Sequence, residues 1–263
     1  MITGDDVRAA QAACHGFLAP HVAADWSAEV PDMDFTVASV VAHAANAPLW
    51  YALDLWGGPG DDAAFELNVD AGAANAALLV SLRSAARVCA ASVDAAPAGI
   101  RGFHPAGAAD PSGFAAMACD EILIHTDDAA RGLGLTFTPD GGLAERVLAR
   151  LFPWHELGAD DGWQLLRWAN GRIDLPGRPN QRGWRWHCAP LADWDGKQPS
   201  LTPPSRLPGG RLSAAVGDAC GVVETPRGGL SRVSGGSLRG PLGRLLPAQR
   251  ATMILPGAWP AVG

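Results

Sequence analysis

The chain has 263 residues, of which 48% are hydrophobic and 18% are charged, a balance that excludes a wholly disordered protein. Its net charge of −7 gives no basic field, so nucleic-acid binding is not expected. The first residues lack the basic and apolar regions of a secretory signal, and no apolar run approaches the roughly 18 residues of a membrane span. These features predict a soluble protein of the cytoplasm that does not enter a membrane.

The five cysteines are odd in number and form no C-x-x-C pair. A disulfide framework and a zinc ribbon are therefore both disfavoured, and reduced, mostly buried thiols are expected.

The first part of the chain repeats apolar residues at three- and four-residue steps, the period of a helix with one buried face. The pattern and its capping residues predict four long helices: Asp5–Leu18, Asp34 or Thr36 to Gly57, Ala71–Ala95, and Asp110-Pro111 to Gly132 or Gly134. Pro48 is expected to kink or interrupt the second helix. Four such helices joined by loops predict an all-α fold, a four-helix bundle.

The later chain is less regular. Short helices are predicted in LAERVLARLFPW and DGWQLLRWANGR, followed by an extended segment in GWRWHCAPL. Residues 196–263 contain 22 Gly and Pro, and their eight basic residues outnumber two acids, whereas residues 1–195 hold 12 basic against 25 acidic residues. We therefore expect a bundle with short appended elements over 1–190 and a basic, Gly/Pro-rich, mostly irregular tail over 191–263. The tail is interpreted as a solvated appendage, with contact to the acidic body or to another molecule as the alternative.

One group of polar residues stands out in the apolar helices. Glu121 and His125 lie one turn apart on the fourth predicted helix, and His43 lies among the apolar residues of the second. Two imidazoles and a carboxylate are a common ligand set for catalytic zinc, and facing helices of bundles build such sites. A surface Glu–His pair with a separate core histidine is the alternative interpretation of the spacing.

The segments FTVASVVAHAA and MACDEILIHTDDAARGLG resemble the DinB-like superfamily, specifically the N-terminal domain of mycothiol-dependent maleylpyruvate isomerases. DGWQLLRWANGR also resembles a later segment of these proteins, so the resemblance covers roughly residues 1–190. It implies a DinB-like bundle in which His43, Glu121 and His125 bind a divalent metal. It also implies mycothiol, or a similar thiol, as cosubstrate, and an actinobacterial source. The family's Trp before the second helix is Phe35 here, and the tail shows little of the family's α/β C-terminal domain.

The resulting functional hypothesis is a metal-dependent enzyme, with zinc favoured, that uses a low-molecular-weight thiol for isomerisation or S-transfer on an electrophilic small molecule. Neither the residues nor the resemblance specify the electrophile or the oligomeric state. A non-catalytic DinB-like binding or regulatory module and a metal-dependent hydrolase remain as alternatives.

Several other polar residues rank lower. Asp128 could accept a hydrogen bond from an imidazole N–H, although an exposed helix face for Asp127 and Asp128 is the favoured interpretation. Four single histidines are expected to be solvated or to cap helices: His15, His21, His104 and His155. His187 and Cys188 are adjacent and would point to opposite faces of an extended segment, which makes them a poor metal pair.

Overall fold

A computed structural model describes residues 1–60, 67–158, 161–178, 180–181 and 183–198. Within these ranges the chain forms six α-helices and no β-strand: α1 Gly4–Leu18, α2 Val37–Gly57, α3 Asn75–Ala95, α4 Pro111–Gly132, α5 Gly141–Leu151 and α6 Gly162–Ala169. The predicted all-α class is confirmed. Nearly all of the predicted tail lies outside the described residues, so the division into 1–190 and 191–263 stays a prediction.

The four long helices pack as the predicted bundle, in which α1 and α2 each contact both α3 and α4. The central helix is α4, because every side chain from Ser112 to Ala130 is buried. Helices α5 and α6 pack against each other, and α5 also packs against α4. Polar side chains on α4 are therefore enclosed on all sides and need partners inside the protein.

Capping residues account for the starts of the two helices that carry the predicted metal ligands. The Thr36 hydroxyl accepts a hydrogen bond from the Ser39 amide at 3.2 Å, which sets the start of α2. The Asp110 carboxylate accepts one from the Gly113 amide at 2.8 Å, and Pro111 occupies the first helical position of α4. Both starts agree with the sequence prediction.

Two local predictions need correction. The interruption of α2 at Pro48 is wrong, because α2 continues to Gly57 although Pro48 offers no amide to the preceding turn, and packing of α2 against two helices outweighs that loss. The other alternative for Pro48, a kink, stays a prediction. Helix α3 begins at Asn75 instead of Ala71, because residues 71–73 form a turn. The extended conformation of the GWRWHCAPL segment stays a prediction; its described residues form no strand, and Arg150 of α5 binds the carbonyls of His187 and Cys188 there.

Helix α3 is long and apolar enough to cross a membrane by length and composition alone. Only 39% of its most apolar window is buried, and it packs against α1 and α2 in the bundle. Core helices of soluble proteins pass the same test, so the finding is weak evidence for a membrane span.

Candidate metal centre

The structure brings His43, Glu121 and His125 together between α2 and α4. Their potential ligand atoms all lie within 4.8 Å of one another. Oε2 of Glu121 is 2.9 Å from Nε2 of His125 and 3.2 Å from Nε2 of His43. Neighbouring ligands of a tetrahedral zinc ion stand about 3.3 Å apart, given zinc–ligand bonds of about 2.0 Å. The spacing of the three donor atoms therefore fits an ion of that size after small side-chain adjustments.

Charges and hydrogen bonds within the cluster shift the pKa values of Glu121 and His125 in opposite directions. Burial would raise the pKa of Glu121, but the charge on His43 and hydrogen bonds from both histidines outweigh burial and hold that pKa well below its usual range. Burial would lower the pKa of His125, but hydrogen bonds to Asp128 and Glu121 raise it to about 9. Without a metal the cluster therefore holds a proton between a carboxylate and an imidazole, where a cation could replace it.

Asp128 orients the His125 ring from the side opposite Glu121. Its Oδ2 lies 3.0 Å from Nδ1 of His125, an arrangement that directs Nε2 towards Glu121. The predicted exposure of Asp127 and Asp128 is wrong, because both are buried at 3% and 0% exposed. The reason is that two arginines from later in the chain bind these carboxylates: Arg167 of α6 binds Asp127 at 2.9 Å, and Arg172 binds Asp128 at 3.0 Å. Burial would raise the pKa of Asp128, but Arg172 and His125 hold it well below its usual range.

Tyr51 completes the contacts of Glu121 and was not predicted from the sequence. Its buried hydroxyl donates to Oε1 of Glu121 at 3.1 Å, whereas Oε2 is the oxygen that lies 3.2 Å from His43 and 2.9 Å from His125. Burial and the Glu121 charge raise the pKa of Tyr51 well above its ordinary value, so the hydroxyl keeps its proton. Tyr51 lies eight residues after His43, which places it two turns along the same face of α2, and this spacing could have revealed it.

His104 is buried, so the first of its two predicted roles, solvated or capping, is wrong. Its Nδ1 accepts a hydrogen bond from the Ala106 amide at 3.1 Å, while Nε2 has no hydrogen-bond partner among the described residues. Burial lowers its pKa to about 4, so the ring is neutral. The ring lies 5.9 Å from that of Tyr51 and 6.0 Å from that of Trp186, between centroids, so His104 forms part of the wall behind Tyr51.

Asp120, on α4 beside Glu121, forms hydrogen bonds with residues that follow α6. Its two oxygens accept hydrogen bonds from Asn170 at 2.9 Å and from Trp186 at 3.0 Å. Burial and the adjacent Glu121 charge raise its pKa to about 7. Residues that follow α6 therefore help to hold the segment of α4 that carries Glu121.

The remaining candidate residues lie outside the cluster. His155 is half-buried, accepts a hydrogen bond from the Trp154 indole at 3.1 Å and has its pKa lowered to about 4 by burial. His15 and His21 lie at the end of α1 and in the turn after it. Four cysteines are buried free thiols whose pKa is raised by burial: Cys14, Cys89, Cys119 and Cys188. None of these four thiols is suited to act as a nucleophile.

Comparison with known families gives one match, to the family described as mycothiol maleylpyruvate isomerase N-terminal domain. It spans residues 7–130, a little under half of the chain, and includes all three residues of the cluster. No curated protein and no solved structure matches the chain. The predicted family resemblance is confirmed over these residues, and this family is DinB-like.

Proposed function

We propose that the protein is a metal-dependent enzyme that uses a low-molecular-weight thiol, because residues 7–130 match the family described as mycothiol maleylpyruvate isomerase N-terminal domain. The reaction class is isomerisation or S-transfer on an electrophilic small molecule. The observation that carries this proposal is the convergence of partly exposed His43 with buried Glu121 and His125 in a cluster where a cation can replace a proton.

The donor set favours zinc among divalent ions. Two imidazole nitrogens and one carboxylate oxygen suit zinc better than magnesium or calcium, which prefer all-oxygen sites. Three protein ligands leave a four-coordinate ion one position for a further ligand. A zinc ion there would supply Lewis acidity, which favours the thiolate form of a bound thiol at neutral pH.

The residues of the chain hold and orient this centre but offer no reactive thiol of their own among the described residues. The two imidazoles and the carboxylate would leave a divalent ion with a net charge near +1, which favours an anionic partner such as a thiolate. The four described cysteines are buried and keep their protons, so none of them can attack an electrophile. An external thiol fills this role, and the resemblance identifies mycothiol as the first candidate.

The first experiment is elemental analysis of the full chain purified without an affinity tag. We expect about one equivalent of zinc or a similar divalent metal, and we expect His43→Ala and His125→Ala each to abolish it. His21→Ala is the matched control, because His21 lies outside the cluster and should leave the metal content unchanged. Full metal occupancy in either cluster variant would refute the site.

The second experiment tests the thiol. We expect the cobalt-substituted protein to develop a sulfur-to-metal charge-transfer band when mycothiol is added. If cobalt binds but its spectrum does not change when mycothiol or other cellular thiols are added at millimolar levels, the thiol-dependent reaction is refuted. Hydrolysis by a metal-activated water then becomes the reaction to test. If the purified protein binds no metal, a non-catalytic binding module becomes the better description.

A further inference from the structure

We propose that Tyr51 is a positioning residue: its hydroxyl binds Oε1 of Glu121, so that this carboxylate offers only its other oxygen, Oε2, to a metal ion. The inference rests on the proposed function, because it concerns how the metal is held. It assigns to Tyr51 control of the position at which the thiol would bind.

The two oxygens of Glu121 have different partners. Oε2 faces Nε2 of His43 and Nε2 of His125, at 3.2 and 2.9 Å. Oε1 accepts the Tyr51 hydroxyl at 3.1 Å. The Tyr51 hydrogen bond fixes the rotation of the carboxylate with Oε2 towards the two histidines, so turning the carboxylate to chelate an ion with both oxygens would strain or break that bond.

The phenol of Tyr51 is held in place by its neighbours. Its ring lies 5.9 Å from the rings of both His104 and Phe114, between centroids. Tyr51 is 4% exposed, His104 is 4% exposed and Phe114 is fully buried. Water therefore does not compete for Oε1, and the hydroxyl has little freedom to leave Glu121.

The number of oxygens that Glu121 gives to the ion decides what else can bind. With one oxygen, the three side chains leave a position free on a four-coordinate zinc ion. With both oxygens, the protein alone would supply four donor atoms, and an incoming thiol would have to displace one of them or raise the coordination number. Tyr51 therefore keeps one position available to the thiol.

The test uses the full chain loaded with cobalt, whose visible absorption is much stronger in four-coordinate than in five-coordinate sites. We expect an intense spectrum for the wild type and a severalfold weaker one for Tyr51→Phe, which keeps the ring and removes the hydroxyl. We also expect Tyr51→Phe to need at least about tenfold more thiol for half-maximal development of the charge-transfer band. A variant that only loosened the packing would not change the coordination number.

Thr126→Val is the matched control. It removes a buried hydroxyl from α4 that donates to the Ile122 carbonyl at 2.6 Å, and Glu121 keeps all its contacts. We expect its cobalt spectrum and thiol response to equal those of the wild type. Circular dichroism checks that both variants keep their helices.

The outcomes separate this inference from the proposed function. If the wild type binds cobalt and thiol but Tyr51→Phe gives the same spectrum and thiol response, the role of Tyr51 is overturned and the proposed function stands. Loss of cobalt from Tyr51→Phe alone would also overturn it, since the proposal requires the ion to remain. X-ray absorption of the zinc-loaded wild type needs no variant: one oxygen from Glu121 supports the proposal, and two oxygens overturn it. A wild type that binds neither metal nor thiol overturns both proposals.

Discussion

Metal binding should release a proton and should strengthen steeply as the pH rises towards 9. In the metal-free protein, hydrogen bonds to Asp128 and Glu121 raise the pKa of His125 to about 9 despite its burial. At pH 7.5 this ring is therefore mostly protonated, and its proton must leave before Nε2 can bind an ion. Proton competition at His125 alone weakens the apparent metal affinity about 30-fold at pH 7.5 and about tenfold for each further pH unit below. From residue types alone, weakening would be expected only below about pH 6.

Isothermal titration calorimetry in two buffers with different ionisation enthalpies measures this proton directly. We expect about one proton released per ion from His125 at pH 7.5, and a rise of about ten in apparent affinity for each pH unit between 7 and 8.5. Asp128→Asn is the informative variant, because it removes the carboxylate that accepts from Nδ1 and should reduce the proton release. An affinity that stays flat between pH 7 and 8.5, with no difference between the buffers, would refute this account of the cluster.

Three further predictions concern affinity and stability. The Asp128→Asn variant should also bind the metal about 10–100-fold more weakly in a chelator competition, because the His125 ring loses its orienting partner; unchanged affinity at saturating pH would contradict this role. In the metal-free protein the raised pKa of His125 adds to the free energy of unfolding, fully below pH 6.5 and progressively less as the pH rises to about 9. Chemical denaturation should therefore show that the free energy of unfolding falls by about 3 kcal/mol across that window. A chain ending at Asp195 keeps Trp186 on Asp120 and should retain its helical circular dichroism and melting temperature, whereas a large drop would show that the later residues pack as a second core.

The helices could be predicted from the sequence because each carries its own local signals. Apolar periodicity, the Asp110-Pro111 start and the Thr36 cap are properties of neighbouring residues. The pairing of Glu121 with His125 follows from the helical repeat, and the inclusion of His43 follows from the expectation that two apolar faces meet. These parts of the site needed no knowledge of the later chain.

The contacts that surround the three candidate ligands could not be predicted in this way, because they join residues far apart in the sequence. Asp128 looks like part of an exposed acidic pair until Arg172, 44 residues later, covers it. In the sequence, nothing distinguishes Asp120 from a surface carboxylate; only the structure shows its hydrogen bonds to Asn170 and Trp186. His104 is buried only because Tyr51 and Trp186 pack against it from two other segments.

The hydrogen bonds to Asp120 and Asp128 from residues 170–186 bear on how the protein is made and how it can be recombined. The family match ends at residue 130, yet the buried carboxylates beside Glu121 and His125 find their partners 44 to 66 residues further along the chain. A nascent chain stopped at the end of the match would lack the donors that bind these two carboxylates in the folded protein. A transplant of the centre into another protein must therefore carry the sequence through Trp186. The segment that builds this site is longer than the matched family domain, which ends at residue 130.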